Sequence, residues 1–576
     1  MKIKFSALHG RQLQKCSLAL LMCFLAHVSD AQQLPNAGML EKEAEQGFKN
    51  SPSLKAAPKE TEHTKPAPPL AGELSVNVKA FEFSGNTLLS QESLNKALSP
   101  YLNQALSFAQ LRSAADEVMN AYKAAGWMVR AYLPKQEIEG GVVRIDIIEG
   151  VLGGTQVDGD PSRLISSQQL INMGNRIIGV GQAVRVAKID RALLLMDDLP
   201  GVSVTGNLVE GERAGQTNLS LQVLDQSRVE GTLSADNAGA VSTGASRVLL
   251  SANLNDPLRW GDLLTSNVLK SEGSTYARLG YTLPIGSDGL RSGLHGSSLH
   301  YKLVGGFSSL GASGSASTAG VDAAYPLVRS QNDNLNLVGS WDHKWFTNEA
   351  NQTVTSKYEL FVGNVSLNGN SVDTWMGGGV LNYGLSLTRG FVNLVDSPNQ
   401  LADLQSAHVA GLYSKANVNL SRLQTLTPTV IMSFALTAQM GNRNLDSSEK
   451  MYLGGASGIR AYPSNEGSGS SGQMLNVEIR KKVLQSWSVA GFYDVGHVSV
   501  YQDNQTNGGI ALTGLNDFTL KGAGLSLAWQ NFKGLDLKLT VARRILSNPI
   551  ANASTGADTD GTLRMNRVWL NANVAF

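Results

Sequence analysis

The chain has 576 residues, 48 of them Lys or Arg and 47 Asp or Glu, so its formal net charge is +1 and it carries no basic field of the kind that holds nucleic acid. Its two cysteines, Cys16 and Cys23, both fall within the first 31 residues, which excludes a disulfide framework from everything downstream. Beyond those residues no apolar run reaches 18 positions, which excludes a transmembrane helix and leaves strands as the only way to cross a bilayer.

Lys2, Lys4, Arg11 and Lys15 precede an apolar run from Leu18 to Leu25 and the small residues Ser29 and Ala31, so residues 1–31 read as a secretory signal peptide. Met22 before Cys23 is too large for a lipoprotein cleavage box. In 32–50, Asn36 is placed to cap a short amphipathic helix running through Met39, Leu40, Glu41, Lys42, Glu43 and Ala44 to about Phe48, with acids in its first turns where the helix dipole favours them. Residues 51–75 hold Pro52, Pro58, Pro66, Pro68 and Pro69 among Lys, Glu, Thr and Ala, a composition that buries no core and stays extended as a linker. Taken alone, a short helix before such a linker is a frayed terminus.

Residues 76–150 read as strand, two helices, strand, strand. The alternation from Val76 to Phe83 predicts one strand ending at the turn Gly85-Asn86. Ser90 is placed to cap a helix bearing Leu94, Leu98 and Tyr101, and Leu111, Ala115, Val118 and Tyr122 form the apolar stripe of a second helix ending at Gly126. Strands follow at 129–133 and 142–148. Residues 151–226 repeat the order: a strand near Thr155, a helix from Ser167, a helix through Ile189, Leu193 and Met196 that stops at Leu199-Pro200-Gly201, and strands at 202–209 and 218–224. From topology alone the pair is equally consistent with a generic α+β tandem.

From 227 to 576 the pattern is alternation without helix. Val248, Leu250, Ala252 and Leu254 interleave with Leu249, Ser251, Asn253 and Asn255, and Leu335, Leu337, Gly339, Trp341 and Trp345 do the same on another segment. Leu525, Leu527 and Trp529, a turn near Lys533-Gly534, then Leu535, Leu537, Leu539 and Val541 predict a hairpin. The last strand carries Val568, Leu570, Ala572 and Val574 and ends on Phe576. Short segments with one apolar and one polar face are the mark of an outer-membrane barrel, and about 350 residues at roughly 20 to 22 per strand and connection give about 16 strands.

No catalytic constellation appears. Gly467-Ser468-Gly469-Ser470-Ser471-Gly472 matches GxGxxG, but a strand is predicted after it at 474–480 where a dinucleotide fold needs a helix. There is no HExxH, P-loop, GxSxG elbow or metal-spaced Cys/His cluster, and the eight histidines are scattered singly. No enzyme, cofactor or metal is expected.

Two short motifs remain: Ile459-Arg460-Ala461-Tyr462, and Phe492, Asp494 and Gly496 in Phe492-Tyr493-Asp494-Val495-Gly496. An Arg buried in a barrel needs a carboxylate, and a guanidinium offers a planar fork that a carboxylate accepts bidentately. Together the motifs resemble the lumenal-loop tip and barrel-wall strand of the Omp85 superfamily. With the two upstream modules and the short helix, the chain resembles the two-partner secretion transporters, which export one large partner polypeptide. Ala461 departs from the commoner Gly of the family's tip, and Ser470 stands where many relatives have Asp.

The resemblance implies a transmembrane antiparallel β-barrel of about 16 strands (227–576), preceded by two α+β POTRA-like domains (76–150 and 151–226) and an N-terminal plug helix (32–50) bearing Met39, Leu40, Glu41, Glu43 and Phe48. It pairs Arg460 with Asp494 and brings Glu478 and Arg480 into a lumenal charge network. It also implies a monomer in outer-membrane lipid with the POTRA-like units in the periplasm, binding a secreted partner exoprotein and moving it without ATP. The rival expectations are an Omp85-type assembly factor, a passive porin or receptor barrel, and, least favoured, a barrel-embedded hydrolase.

Overall fold

The computed structural model describes residues 35–49, 75–213, 215–531 and 534–576; the signal peptide, the linker through residue 74 and Lys533 of the predicted hairpin turn lie outside the described residues. Helix α1 (Ala37–Lys49) begins where Asn36 Oδ1 accepts the Met39 N–H at 3.0 Å, the expected cap. Its first turn carries no acid; Glu41 and Glu43 stand one turn later, so the dipole argument made from the sequence does not hold and other partners must account for both.

In the first unit, the single strand expected over 76–83 is two: β1 (Ser75–Val78) and β2 (Ala80–Ser84). The Lys79 and Ala80 N–H groups both turn to the Gly141 carbonyl, and the chain changes sheets there. Helix α2 (Gln91–Leu98) is capped by Ser90, strand β3 (Gln104–Ser107) pairs with β1, and α3 (Phe108–Ala124) opens with a Ser107/Gln110 capping box. Strands β4 (Val129–Tyr132) and β5 (Val142–Glu149) complete a sheet of order β2-β5-β4. Leu111, Ala115, Val118 and Tyr122 are all buried against it.

The second unit runs β6 (Val151–Asp158), α4 (Ser167–Gly174), α5 (Val186–Asp197), β7 (Val202–Glu210) and β8 (Gln216–Asp225). Its sheet order, β6-β8-β7, repeats the first unit: the first strand lies parallel to the last, and the last antiparallel to the middle one. Gly150 alone separates the two sheets. A short ladder ties the units, with the Met128 N–H to the Val184 carbonyl and the Val184 N–H to the Gly150 carbonyl, and the Arg185 guanidinium lies 4.2 Å from the Trp127 ring centre.

Sixteen antiparallel strands then close into a barrel. The first ten are β9 (Val229–Asp236), β10 (Arg247–Asn255), β11 (Leu263–Lys270), β12 (Ser274–Pro284), β13 (Arg291–Lys302), β14 (Ala312–Arg329), β15 (Asp333–Ala350), β16 (Thr353–Asp373), β17 (Gly379–Asn393) and β18 (Gly411–Thr427). Next come β19 (Val430–Gly441), a loop hairpin of β20 (Met451–Tyr452) and β21 (Ser468–Gly469) outside the barrel, then β22 (Ser471–Leu484), β23 (Trp487–Ser499), β24 (Asp517–Gln530), β25 (Leu535–Arg544) and β26 (Asn566–Ala575). Outward positions such as Val248, Leu250, Trp341, Leu525, Leu539 and Leu570 are exposed to the surroundings of the barrel. Leu249, which the alternation grouped with polar residues, faces inward and is buried beside Gly47 of α1. No helix among the described residues is long and apolar enough to cross a membrane.

The second unit is fixed to the barrel's near mouth. Arg329 makes a two-bond pair with Asp198, both at 2.7 Å, and Arg191 Nη2 donates to the Pro326 carbonyl at 2.7 Å. The strand ends bearing these turns therefore face the second unit, and the long connections, among them 442–470 and 545–565, lie at the other end of the barrel.

Candidate functional site

The barrel lumen is filled by two elements. The first is the 442–470 connection, which folds inward and brings Ile459, Ala461 and Tyr462 to full burial. Arg460 sits at its tip. Its Nε and Nη2 donate to Asp494 Oδ2 and Oδ1 at 2.9 and 2.8 Å, its backbone N–H donates to Asp494 Oδ2 at 3.1 Å, and Nη1 donates to Glu478 Oε2 at 2.7 Å. The guanidinium lies 3.4 Å from the Phe492 ring centre, and Arg480 donates to the other oxygen of Glu478 at 2.7 Å. Asp494 is 0% exposed and Glu478 7%. Strand register explains the convergence: Asn476 faces Asp494 and Glu478 faces Phe492 across β22 and β23, so all four side chains meet the loop tip.

The wall is carved to let the tip approach. A Cβ built on Gly496 would stand 2.8 Å from Leu453 Cδ2 and 3.2 Å from Ile459 Cδ1, so the glycine of this motif is needed for space. Four further contributors escaped the sequence reading. Asn476 Nδ2 bridges the Gly458 carbonyl at 3.0 Å and Asp494 Oδ1 at 2.8 Å; Trp569 Nε1 donates to the Arg460 carbonyl at 2.7 Å; Gly522 and Gly524 clear room for Ala461 and the Phe492 ring. The alternating glycines of Gly522-Ala523-Gly524 on a strand were the available signal, since glycine inside a strand marks a close approach.

The second element is α1, which lies along β13, β14 and β15 inside the barrel. Leu40, Ala37 and Ala44 are buried among lumenal Leu249, Tyr276, Leu299 and Phe346, with Met39 half-buried beside them. Phe48 meets Tyr276 with ring centres 6.1 Å apart. Glu41, 1% exposed, accepts from Thr318 Oγ1 at 2.7 Å and Ser297 Oγ at 3.3 Å. Glu43 accepts from the Ala240 N–H at 3.1 Å, Arg247 Nη1 at 3.4 Å and Asn465 Nδ2 at 2.5 Å. Wall and loop donors, rather than the helix dipole, meet both oxygens of Glu43, whereas Glu41 is met on Oε1 alone and its buried Oε2 has no hydrogen-bond partner among the described residues.

Helix and loop also hold each other. Ser447 Oγ donates to Asn36 Oδ1 at 2.8 Å, Lys42 Nζ donates to the Lys450 carbonyl, and Gly38 has no room for a Cβ, which would stand 2.9 Å from Ser447 Oγ. The lumen is thus occluded by two polar-bonded plugs of different origin. Each is held by these polar bonds and by buried apolar contacts, Leu40 and Ala44 of α1 among Leu249 and Phe346, and Ile459 and Tyr462 of the loop beside Phe492 and Leu520.

Residues 215–517 match the model of the haemolysin secretion/activation protein family ShlB/FhaC/HecB, and residues 76–150 match the ShlB-type POTRA domain. The chain is 27% identical to the heme/hemopexin transporter protein HuxB of Haemophilus influenzae (strain 86-028NP) over 474 residues, covering 80% of this chain and 82% of that one. It is 24% identical to the outer membrane transporter CdiB of Escherichia coli O6:K15:H31 over 426 residues, covering 72% and 69%. Among solved structures, CdiB from Escherichia coli superposes with a TM-score of 0.65 at 19% identity over 100% of both chains. BamA from Haemophilus ducreyi superposes at 0.52 and 13%, covering 87% of this chain.

Proposed function

The chain belongs to the haemolysin secretion/activation family ShlB/FhaC/HecB, and on that premise we propose that it carries one large secreted polypeptide from the periplasm to the cell surface without nucleotide hydrolysis. The barrel is an outer-membrane transporter barrel with POTRA domains on its periplasmic side. The observation that carries the proposal is the doubly occluded lumen: a closed barrel whose bore holds a separate N-terminal helix and an infolded loop, both bonded through polar side chains. A passive porin has no use for such stoppers, nor for two modules at its mouth.

In this reading the POTRA units capture the partner as it emerges unfolded, by strand addition at open sheet edges such as β2 and β7. Helix α1 then leaves the bore on its linker, and folding of the exported chain at the surface biases its transit. Arg460 with Asp494, supported by Glu478 and Arg480, holds the loop tip on the wall and performs no chemistry; the protein acts as a channel rather than an enzyme. HuxB is a heme/hemopexin transporter protein, so a secreted partner that binds heme or hemopexin is the first cargo to test. An assembly factor for many barrels is the rival, and a client range of one secreted protein separates the two.

The test is single-channel conductance in planar bilayers of the mature protein beside a variant lacking residues 32–50. A quiet wild type and a steadily open deletion are expected. Equal, large and stable conductance in both removes α1 from the mechanism and favours a passive porin.

A further inference from the structure

Asn465 and Glu466 are chain neighbours whose side chains reach partners on opposite sides of the lumenal loop. Asn465 holds φ at +66°, left-handed backbone that asparagine tolerates better than most residues. From there its Nδ2 donates to Glu43 Oε2 of α1 at 2.5 Å. Glu466 is 0% exposed. Its Oε1 accepts from Asn548 Nδ2 at 2.5 Å, and its Oε2 accepts from the Thr559 N–H at 3.0 Å and from the Thr559 hydroxyl.

Asn548 and Thr559 belong to the connection between β25 and β26, on the side of the barrel away from the POTRA units. That connection is itself held inward. Asp558 accepts from Arg544, from Arg567 Nη2 at 2.9 Å and from Asn548 Nδ2 at 2.9 Å, and Arg567 pairs with Asp560 at 2.8 Å. The turn between the two directions is tight. The Gly454 N–H donates to the Glu466 carbonyl at 2.8 Å, and a Cβ on Gly454 would stand 2.7 Å from Glu466 Cβ, so the turn packs this closely only because residue 454 has no side chain.

We propose that Asn465 and Glu466 form a two-sided coupler that makes departure of α1 from the lumen and release of the 545–565 connection one event. The proposal rests on the reading that α1 vacates the bore during transport. When Glu43 withdraws, Asn465 loses the carboxylate that fixes its left-handed backbone, the turn relaxes, and Glu466 moves off its donors. A buried carboxylate without donors is costly, so the 545–565 connection follows or opens to water. Coupling between sites is reciprocal, so displacement of that connection at the cell surface loosens α1 in turn. The pathway then opens at both faces together and is not left half-sealed.

The mature chain expected from the signal peptide has no cysteine, so Ser554→Cys, at an exposed position of 545–565, gives one site for a nitroxide. Nitroxide spectra and single-channel records are taken on the same reconstituted protein for the otherwise unaltered chain, Glu43→Ala, Asn465→Ala, and Glu43→Ala with Asn465→Ala. The variant lacking 32–50 stands in if Glu43→Ala fails to fold. Glu43→Ala is expected to mobilise the label and to raise the ratio of open to closed time by roughly fivefold or more, the lower end of ordinary coupling between sites. In the Asn465→Ala background the label no longer responds to Glu43→Ala, a loss that a merely structural role of Asn465 would not produce. Glu466→Gln, at a carboxylate bonded to Asn548 and Thr559 rather than to α1, raises the same open ratio. Opening by Glu43→Ala with an unchanged label overturns the coupler and leaves the channel reading intact. Unchanged conductance on removal of 32–50 sinks the channel reading and the coupler with it.

Discussion

Ala461 and Gly522 face each other between the lumenal loop and β24, and a Cβ built on Gly522 would stand 2.5 Å from the Ala461 Cβ. The methyl group at the loop tip is therefore accommodated by the absence of one on the wall. Gly522→Ala is expected to push the tip off β24, stretch the Arg460–Asp494 bonds and cost roughly 1–3 kcal/mol as overpacking. Protease cleavage within 442–470 on whole cells reads the displacement, and Ala461→Gly in the same chain restores protection. A silent Gly522→Ala would mean that the tip does not pack on β24. Arg460 and Asp494 were legible because the two motifs that carry them resemble a known superfamily's loop tip and wall strand; Asn476 and Trp569 were not, since a lone amide and an indole on barrel strands have no signature until register brings them to the tip.

Within the first POTRA unit, Glu149 at the end of β5 ties together three pieces of chain. Its carboxylate accepts from the Thr87 and Leu88 N–H groups, each at 2.7 Å, from the Thr87 hydroxyl and from the Tyr122 phenol at 2.9 Å. Burial pushes this carboxyl up, but the donors outweigh burial and hold it below the ordinary glutamate value of 4.5, while burial and Glu149 push the Tyr122 phenol up. A depressed carboxylate stabilises the fold fully above its unfolded value and loses that contribution as pH falls through the folded one. Hydrogen-exchange protection of α3 and β5 in the intact protein is therefore expected to weaken as pH drops below about 4.5. Glu149→Gln should lower protection at neutral pH by about 1–3 kcal/mol and flatten the acid response. Equal acid loss in both proteins would assign it to other carboxylates. The same unit shows why element boundaries were partly hidden: the alternation of 76–83 is unbroken, and only Gly141, more than fifty residues away in the chain, decides that the strand divides at Lys79.

The whole barrel closes at its weakest join. Strand β26 pairs with β9 over five positions, Asn571 to Ala575, with Phe576 and Gly231 exchanging a further pair of backbone bonds. Above that, Asn237 replaces a missing strand: its Oδ1 accepts the Leu570 N–H at 2.8 Å and its Nδ2 donates to the Val568 carbonyl at 3.0 Å. Asn237→Ala should cost about 1–2 kcal/mol for two such bonds and lower the temperature at which the barrel loses its compact migration on semi-native gels, with Asn573→Ala as the control. An unshifted transition would show that the five strand pairs suffice. At this scale the sequence by itself determined the class and the order of parts: a barrel, because short segments with one apolar and one polar face recur over 227–576; a tandem of like modules, because their helical stripes and strands recur in one order; and, through two motifs that resemble those of a known superfamily, a charged loop tip with its carboxylate partner. Tertiary structure alone decided what those parts touch. Whether α1 lies in the bore, which glycines give way to the loop, and how Glu43, Asn465, Glu466 and Thr559 line up across it depend on closure of sixteen strands, a long-range geometry that local periodicity does not encode.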